Sequence, residues 1–243
     1  MTLVDTHCHL DFSAYDGLRD EIIAEAAAGG VTRIINPGSD LDRSRAAIAL
    51  AEMYPGVYAA TGVHPNSTAD FSAAHLGALR SLAAHQKVVA IGEIGLDYYW
   101  DDSPKDVQRA AFEAQLDLAA TLELPVIVHN RDASDDVLAV LAAWTATLPA
   151  ALRDRPGVFH SFSAPQSTAE RGLALGFYLG FTGPVTFKNA DDLRRIAARV
   201  PADRLLVETD GPFLTPHPYR GRRPNRPASV CFIAERLAAL HAI

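Results

Sequence analysis

The chain has 243 residues, 49% hydrophobic and 21% charged, which supplies the core of one large globular domain and excludes both a disordered chain and a small stapled module. Twenty-two Lys and Arg against 29 Asp and Glu give a net charge of −7, so the broad basic surface of a non-specific nucleic-acid binder is excluded too. Only Cys8 and Cys231 carry thiols, no apolar run reaches the ~18 residues of a membrane span, and no signal-peptide pattern follows Met1. The expectation is a cytoplasmic protein with no membrane association and no obligate protein partner.

Short apolar runs alternate with longer amphipathic ones along the whole chain. Leu3–Thr6 reads as the first strand and Leu18–Ala28 as the first helix, stopped by Gly29-Gly30. Strand Arg33–Asn36 precedes helix Asp40–Tyr54, which opens on an Asp cap and ends before Pro55. Val57–Gly62 is followed by Ser72–His85, and Val88–Ile94 by Pro104–Leu122, where Ser103-Pro104 offers a cap and a proline at the first helical position. Pro125–Val128 with Ser134–Leu148, Gly157–Phe159 with Gln166–Leu175, Phe177–Phe181 with Ala190–Arg199, and Leu205–Glu208 with Pro227–His241 complete the series. The strands are apolar nearly throughout, as parallel strands covered on both faces must be. Eight β/α repeats in this length predict an α/β fold of the (β/α)8 TIM-barrel type, a single domain over residues 1–243. Neither a dinucleotide-binding glycine fingerprint nor a P-loop occurs. The one long irregular stretch, Gly211–Pro227, is rich in Pro and Arg and reads as part of the site.

Active sites of such barrels lie on the loops after the strands. His7 and His9, two residues apart at the end of the first strand, point to one face. His64 ends the third strand, Glu93 lies in the fourth, His129 and His160 end the fifth and sixth, and Asp210 ends the eighth. Imidazoles and carboxylates in this number exceed the needs of one tetrahedral ion and point to two divalent ions sharing a ligand. Glu93 is the obvious bridge, with His7 and His9 on one side and His129 and His160 on the other. Asp210 would ligate one ion and accept the proton of the attacking water.

The ordered motifs V-D-T-H-C-H-L (4–10), G-V-H-P (62–65), G-E-I-G-L-D (92–97), H-N-R-D-A (129–133), H-S-F-S (160–163), T-F-K-N-A (186–190) and E-T-D-G-P (208–212) resemble the TatD family of metal-dependent deoxyribonucleases, within the amidohydrolase superfamily. The resemblance implies His7, His9, Glu93 and Asp210 as ligands of one metal, Glu93, His129 and His160 as ligands of the other, and His64 meeting the scissile phosphate. It implies a two-metal hydrolysis of DNA phosphodiester bonds, exonucleolytic, with single-stranded ends as substrate and Zn, Mn or Mg as the ions. The alternative at the same centre is hydrolysis of an amide, an ester or a D-aminoacyl-tRNA bond. Small departures from the family pattern are Ser161 for Cys, Ala164 for Gly and Gly211-Pro212-Phe213 for Ala-Pro-Tyr. Family members also run past this point with one more helix, whereas the sequence ends at Ile243.

Around the centre, Arg220 and Arg222, with Arg223 and Arg226, offer guanidinium forks for phosphate, and Lys188 follows the seventh strand where barrels place phosphate ligands. Each has a plain surface role as its alternative. Tyr98, Tyr99 and Trp100 are placed to stack an unpaired base or to pack in the core. Arg131 and Asp132 are expected to form an ion pair that orients the ligand loop, and the role of His217 stays open.

Overall fold

The computed structural model describes residues 2–243. Eight strands run in chain order, β1 (Leu3–Asp5), β2 (Val31–Pro37), β3 (Val57–Thr61), β4 (Val88–Asp97), β5 (Val126–Arg131), β6 (Gly157–Phe159), β7 (Tyr178–Phe181) and β8 (Leu205–Val207). Each pairs in parallel with the next. Helices α1 (Arg19–Ala28), α2 (Leu41–Met53), α3 (Ala73–Ala83), α4 (Lys105–Leu122), α5 (Ser134–Thr145), α6 (Ala150–Arg153), α7 (Gln166–Ala174), α8 (Asp191–Ala197) and α9 (Val230–His241) separate them. At the seam, Thr6 N donates to Val207 O (3.2 Å), Asp210 N to His7 O (2.8 Å) and His9 N to Gly211 O (2.8 Å), while Cys8 and Gly211 form a parallel bridge. The sheet is therefore a nearly closed (β/α)8 barrel.

Apolar burial falls into two compartments. Ile35, Ala60, Ala90, Ile127, Val158, Tyr178 and Leu206, one from each of β2 to β8, form a separate apolar cluster that plugs the barrel interior. The opposite strand faces join the helices in a larger core around Ile91, Leu116, Trp144, Phe159 and Phe181. The plug forces the polar residues of the strand ends to the C-terminal mouth, where the chemistry of such barrels lies.

The helices fall where the periodicity places them, with α6 as an unforeseen extra turn. Asp40 caps α2 by accepting Arg43 N at 2.7 Å. At α4 the expectation shifts by one residue: Pro104 itself is the cap, and Ser103 contributes its carbonyl to the Gln108 side chain (2.9 Å) instead of a capping hydroxyl. β2 outruns its sequence reading at both ends (Val31–Pro37), and two more strands run past theirs, β4 as far as Asp97 and β5 as far as Arg131. Gly95 makes this possible. Its φ is +146°, and a Cβ there would meet the His129 carbonyl oxygen at 2.0 Å, so only glycine lets β4 continue beside β5. Among the described residues no helix is long and apolar enough to cross a membrane.

Candidate metal centre

His7 and His9 follow β1, and what fixes them is the seam. The buried Asp5 carboxylate accepts His7 N (3.3 Å), Thr209 N (2.9 Å) and Thr209 Oγ1 (2.6 Å), tying the first strand to the last. Burial pushes Asp5 up to about 8 despite the Thr209 hydrogen bonds. The two Nε2 atoms converge at 3.2 Å, and the His7 ring stacks on His160 at 3.9 Å.

Glu93 is 3% exposed and stands at the centre. Its Oε2 lies 3.3 Å from His7 Nε2 and 3.7 Å from His9 Nε2; its Oε1 lies 2.8 Å from His129 Nδ1, 3.0 Å from His160 Nε2 and 3.6 Å from His64 Nε2. Asp210 Oδ1 lies 3.9 Å from His7 Nε2 and 3.8 Å from His9 Nε2. Three sets of donor atoms lie close enough to hold an ion: His7 with His160 and Asp210, His7 with His9 and Glu93, and His64 with Glu93 and His129.

The outer partners set which ring nitrogen is left to ligate when a cation is bound. His129 Nε2 faces Asp97 Oδ2 at 3.0 Å and its Nδ1 faces Glu93 Oε1 at 2.8 Å; a cation held at Glu93 would place the proton on Nε2 and leave the Nδ1 lone pair to ligate. His160 Nδ1 lies 3.5 Å from Glu208 Oε1 as a charge pair without a hydrogen bond, while its Nε2 faces Glu93 Oε1 at 3.0 Å. Lone pairs aimed at a carboxylate oxygen repel unless a cation or a proton intervenes. His64 differs: its Nδ1 accepts Asn66 N at 3.2 Å, so the neutral ring carries its proton on Nε2 and presents a donor. The donor set fits a divalent cation, which Glu93 and the His7, His9, His129 and His160 rings would hold, with His64 beside them as a hydrogen-bond donor. The Nδ1 atoms of His7, His9 and His160 are buried and find no hydrogen-bond partner in the protein.

The electrostatics follow this crowding. Burial would raise Glu93, but His160, His64 and His129 outweigh it and hold the carboxyl well below its ordinary range. Burial would lower His160, but Glu93 and Glu208 drive it well above the usual imidazole value. His129 is also raised, its two carboxylates overcoming burial. Burial and like-charged neighbours lower His7 and His9, and bring His64 down to about 3. Asp210 is pushed up to about 6 by burial against the pull of His160 and His9. Its side chain is 16% exposed against 4% for Glu93, so of these two carboxylates, which both border the cavity, Asp210 is the more open to it.

That cavity has a volume of about 920 Å³ and is bordered by His64, Asn66, Trp100, Arg131, Phe213 and Arg223, among others. Several expected substrate contacts lie elsewhere. Tyr98 is half-buried, donates its hydroxyl to Asp136 (2.7 Å) and carries Lys105 over its ring, so it faces the helix side. Arg220 lies over Phe187 and Arg222 over Tyr219, and both, like Lys188, are exposed away from the cavity. From the long loop only Phe213, Leu214 and Arg223 border it; Arg226 bridges to Glu21 and Glu25 on α1, and His217 lines a separate hollow. The expected Arg131–Asp132 ion pair does not form. The backbone turns at Asp132 (φ +54°), and the Arg131 guanidinium lies over Tyr99 at 4.0 Å.

Sequence reasoning missed Asp97 and Glu208. Asp97 holds His129 with one oxygen and accepts Tyr99 N (3.0 Å) and Trp100 N (3.1 Å) with the other. Burial would raise it, but these bonds bring it down to about 2. Glu208, fully buried, accepts Ser161 N and the Thr6 hydroxyl (3.2 Å). It occupies the space beside Gly180, where a Cβ would meet its carboxylate at 2.5 Å. The signal for both was their place inside chemistry-bearing motifs, with a carboxylate two to four residues from a ligand.

A barrel with imidazoles and carboxylates gathered at its C-terminal mouth has the build of a metal-dependent hydrolase. Residues 4–243 match the family model described as TatD related DNase. The chain is 44% identical to an uncharacterized metal-dependent hydrolase of Bacillus subtilis, YabD, covering 98% of this chain and 91% of that one. It is 39% identical to the 3'-5' ssDNA/RNA exonuclease TatD of Cronobacter sakazakii, covering 95% and 86%. The crystal structure of a TatD homolog from Escherichia coli, YJJV, superposes with a TM-score of 0.89 at 36% identity over 98% of this chain and 90% of that one. The chain belongs to the TatD family.

Proposed function

We propose that this hydrolase shortens single-stranded DNA from its 3′ end, cleaving phosphodiester bonds with two divalent cations, Zn, Mn or Mg. The observation that carries the reading is the split environment of Glu93, whose Oε2 faces His7 and His9 while Oε1 faces His129 and His160. His7, His9, Asp210 and Glu93 would hold one ion, and Glu93, His129 and His160 the other. Bound there, such ions acidify water and neutralise the phosphoryl oxygens. Asp210, open to the cavity, takes the proton of the attacking water. His64, protonated on Nε2 by its Asn66 bond, donates to a non-bridging phosphate oxygen as charge grows there. Relatives that share most of the chain and are named as 3'-5' ssDNA/RNA exonucleases support the choice of bond and polarity.

The test is metal-stripped protein with end-labelled single-stranded DNA, with and without Mg or Mn, beside Asp210→Asn. Metal-dependent shortening from the 3′ end is expected, slowed roughly 100- to 10,000-fold in the variant. No cleavage with any ion would overturn the nuclease reading and bring amide, ester and D-aminoacyl-tRNA bonds forward.

A further inference from the structure

Six large hydrophobic side chains stand exposed among the described residues, and Tyr99, Trp100 and Phe213 are three of them, 55%, 51% and 38% exposed. Trp100 and Phe213 border the central cavity, and Tyr99 stands beside Trp100 at its rim. Apolar rings gathered at the mouth of a polar site call for a ligand that covers them.

Their arrangement repeats on two sides. On one side Trp100 meets Tyr99 edge-on, with centroids 4.8 Å apart and planes at 87°, and Arg131 reaches over both, 4.0 Å from Tyr99 and 5.7 Å from Trp100. On the other Phe213 meets Phe12 edge-on, 5.9 Å apart at 84°, with Arg223 5.9 Å from Phe213 and Arg43 4.7 Å from Phe12. In each pair the second ring meets the first edge-on, and a guanidinium stands over one side of the first ring. The first pair follows β4, with Arg131 ending β5, while the second follows β1 and β8. In an eight-stranded barrel closed in chain order, β4 and β5 lie across the axis from β8 and β1. Glu93 and its imidazoles lie between.

We propose that these two walls each stack one unpaired nucleobase, Trp100 on one side of the scissile phosphate and Phe213 on the other, with Arg131 and Arg223 drawing in the flanking phosphates. This rests on the nuclease reading of the same centre and deepens it. A flat ring and a guanidinium side by side suit a base and its phosphate, and stacking tolerates any base because each has a π face. The acidic chain then needs no wide basic surface, since grip is confined to two nucleotides. A base held in a duplex cannot give its face to either wall, so substrate is restricted to strands with unpaired bases on both sides of the cut.

The chain contains two tryptophans. Trp144 is buried, with its indole N–H bonded to Leu116 O at 2.9 Å, so Trp100 is the exposed emitter. Titration of the metal-loaded protein with a cleavage-resistant phosphorothioate oligothymidylate is expected to quench that emission. In parallel, Trp100→Ala and Phe213→Ala are expected to raise KM for single-stranded DNA roughly 5- to 100-fold with kcat little changed. Trp100→Phe keeps most of the affinity. An end-labelled oligomer of abasic tetrahydrofuran nucleotides, a phosphodiester strand with no ring that can stack, reports on the centre alone, and its cleavage is expected to stay at the parent rate in all three variants. Unquenched emission, or equal losses on the DNA and the abasic strand, overturns the walls. Quenching without DNA cleavage supports the walls and sinks only the nuclease reading; cleavage with unchanged KM in the alanine variants does the reverse.

Discussion

Replacing Asp97 with Asn tests the proton assignment on which the proposed ligation by His129 rests. The substitution keeps the shape of the side chain, and its oxygen still accepts the Tyr99 and Trp100 amides at about the present distances of 3.0 and 3.1 Å. The amide nitrogen then faces His129 Nε2, where Asp97 Oδ2 now accepts at 3.0 Å. Two donors cannot share that contact, so the ring is driven to carry its proton on Nδ1, 2.8 Å from Glu93 Oε1, and the lone pair needed by a cation is lost. Partners of this kind are worth about 10- to 100-fold in metal affinity, or ~1.4 to 2.7 kcal/mol. Competition with a chromophoric chelator reads this directly, and two-step titrations are expected to lose the weaker step first. Asp97→Ala frees the two loop amides as well and is expected to fall further, in stability as in affinity. Metal affinity within twofold of the parent in Asp97→Asn would refute the reasoning, because His129 would then not ligate through Nδ1.

Three further outcomes are expected. Gly180→Ala drives a methyl group against the pinned Glu208 carboxylate, at 2.5 Å before relaxation, costing ~1 to 3 kcal/mol and lowering the melting midpoint by roughly 2 to 12 °C; an unchanged midpoint would show that Glu208 moves freely. Tyr98→Phe loses the 2.7 Å hydrogen bond to Asp136, about 1 kcal/mol at neutral pH, without altering KM. Burial and Asp136 push the Tyr98 hydroxyl up to about 12, so the fold favours its neutral form, and the parent's advantage, complete below pH 10, should vanish as pH rises through 12; a gap that survives there in urea melts contradicts the assignment. Chelation of the loaded protein should lower the melting midpoint and readdition restore it, since ligand at a hundred times its dissociation constant adds ~2.7 kcal/mol per site. A midpoint indifferent to chelator, with bound metal verified beforehand, would show that the cluster is organised without cations.

The barrel was legible because covered parallel strands are continuous apolar runs, and Leu3–Thr6 and Gly157–Phe159 sit within a residue of their observed ends. Histidines and carboxylates at strand ends were legible for the same reason, since period two fixes which face they share. What escaped lies just past Gly95. A glycine reads as a strand end, whereas here its missing Cβ is what lets β4 run on against the His129 carbonyl, and so Asp97 was hidden in an assumed loop. Beyond Asp97 the alternation stops, and nothing in Tyr98-Tyr99-Trp100 itself tells which ring turns inward to Asp136 and which remain at the rim. Glu208 looked like the end of a strand because the gap beside Gly180 that receives it exists only once β7 and β8 are paired.

The seam between first and last strands gives the centre an order of assembly. Glu93, His129 and His160 stand on or beside the consecutive strands β4, β5 and β6, and local pairing brings them together. His7 and His9 meet Asp210 only across a loop of about two hundred residues, through Asp5 and Thr209, the slowest kind of contact for a chain to find. A growing chain therefore holds no complete centre until residue 210 has emerged to meet the first strand.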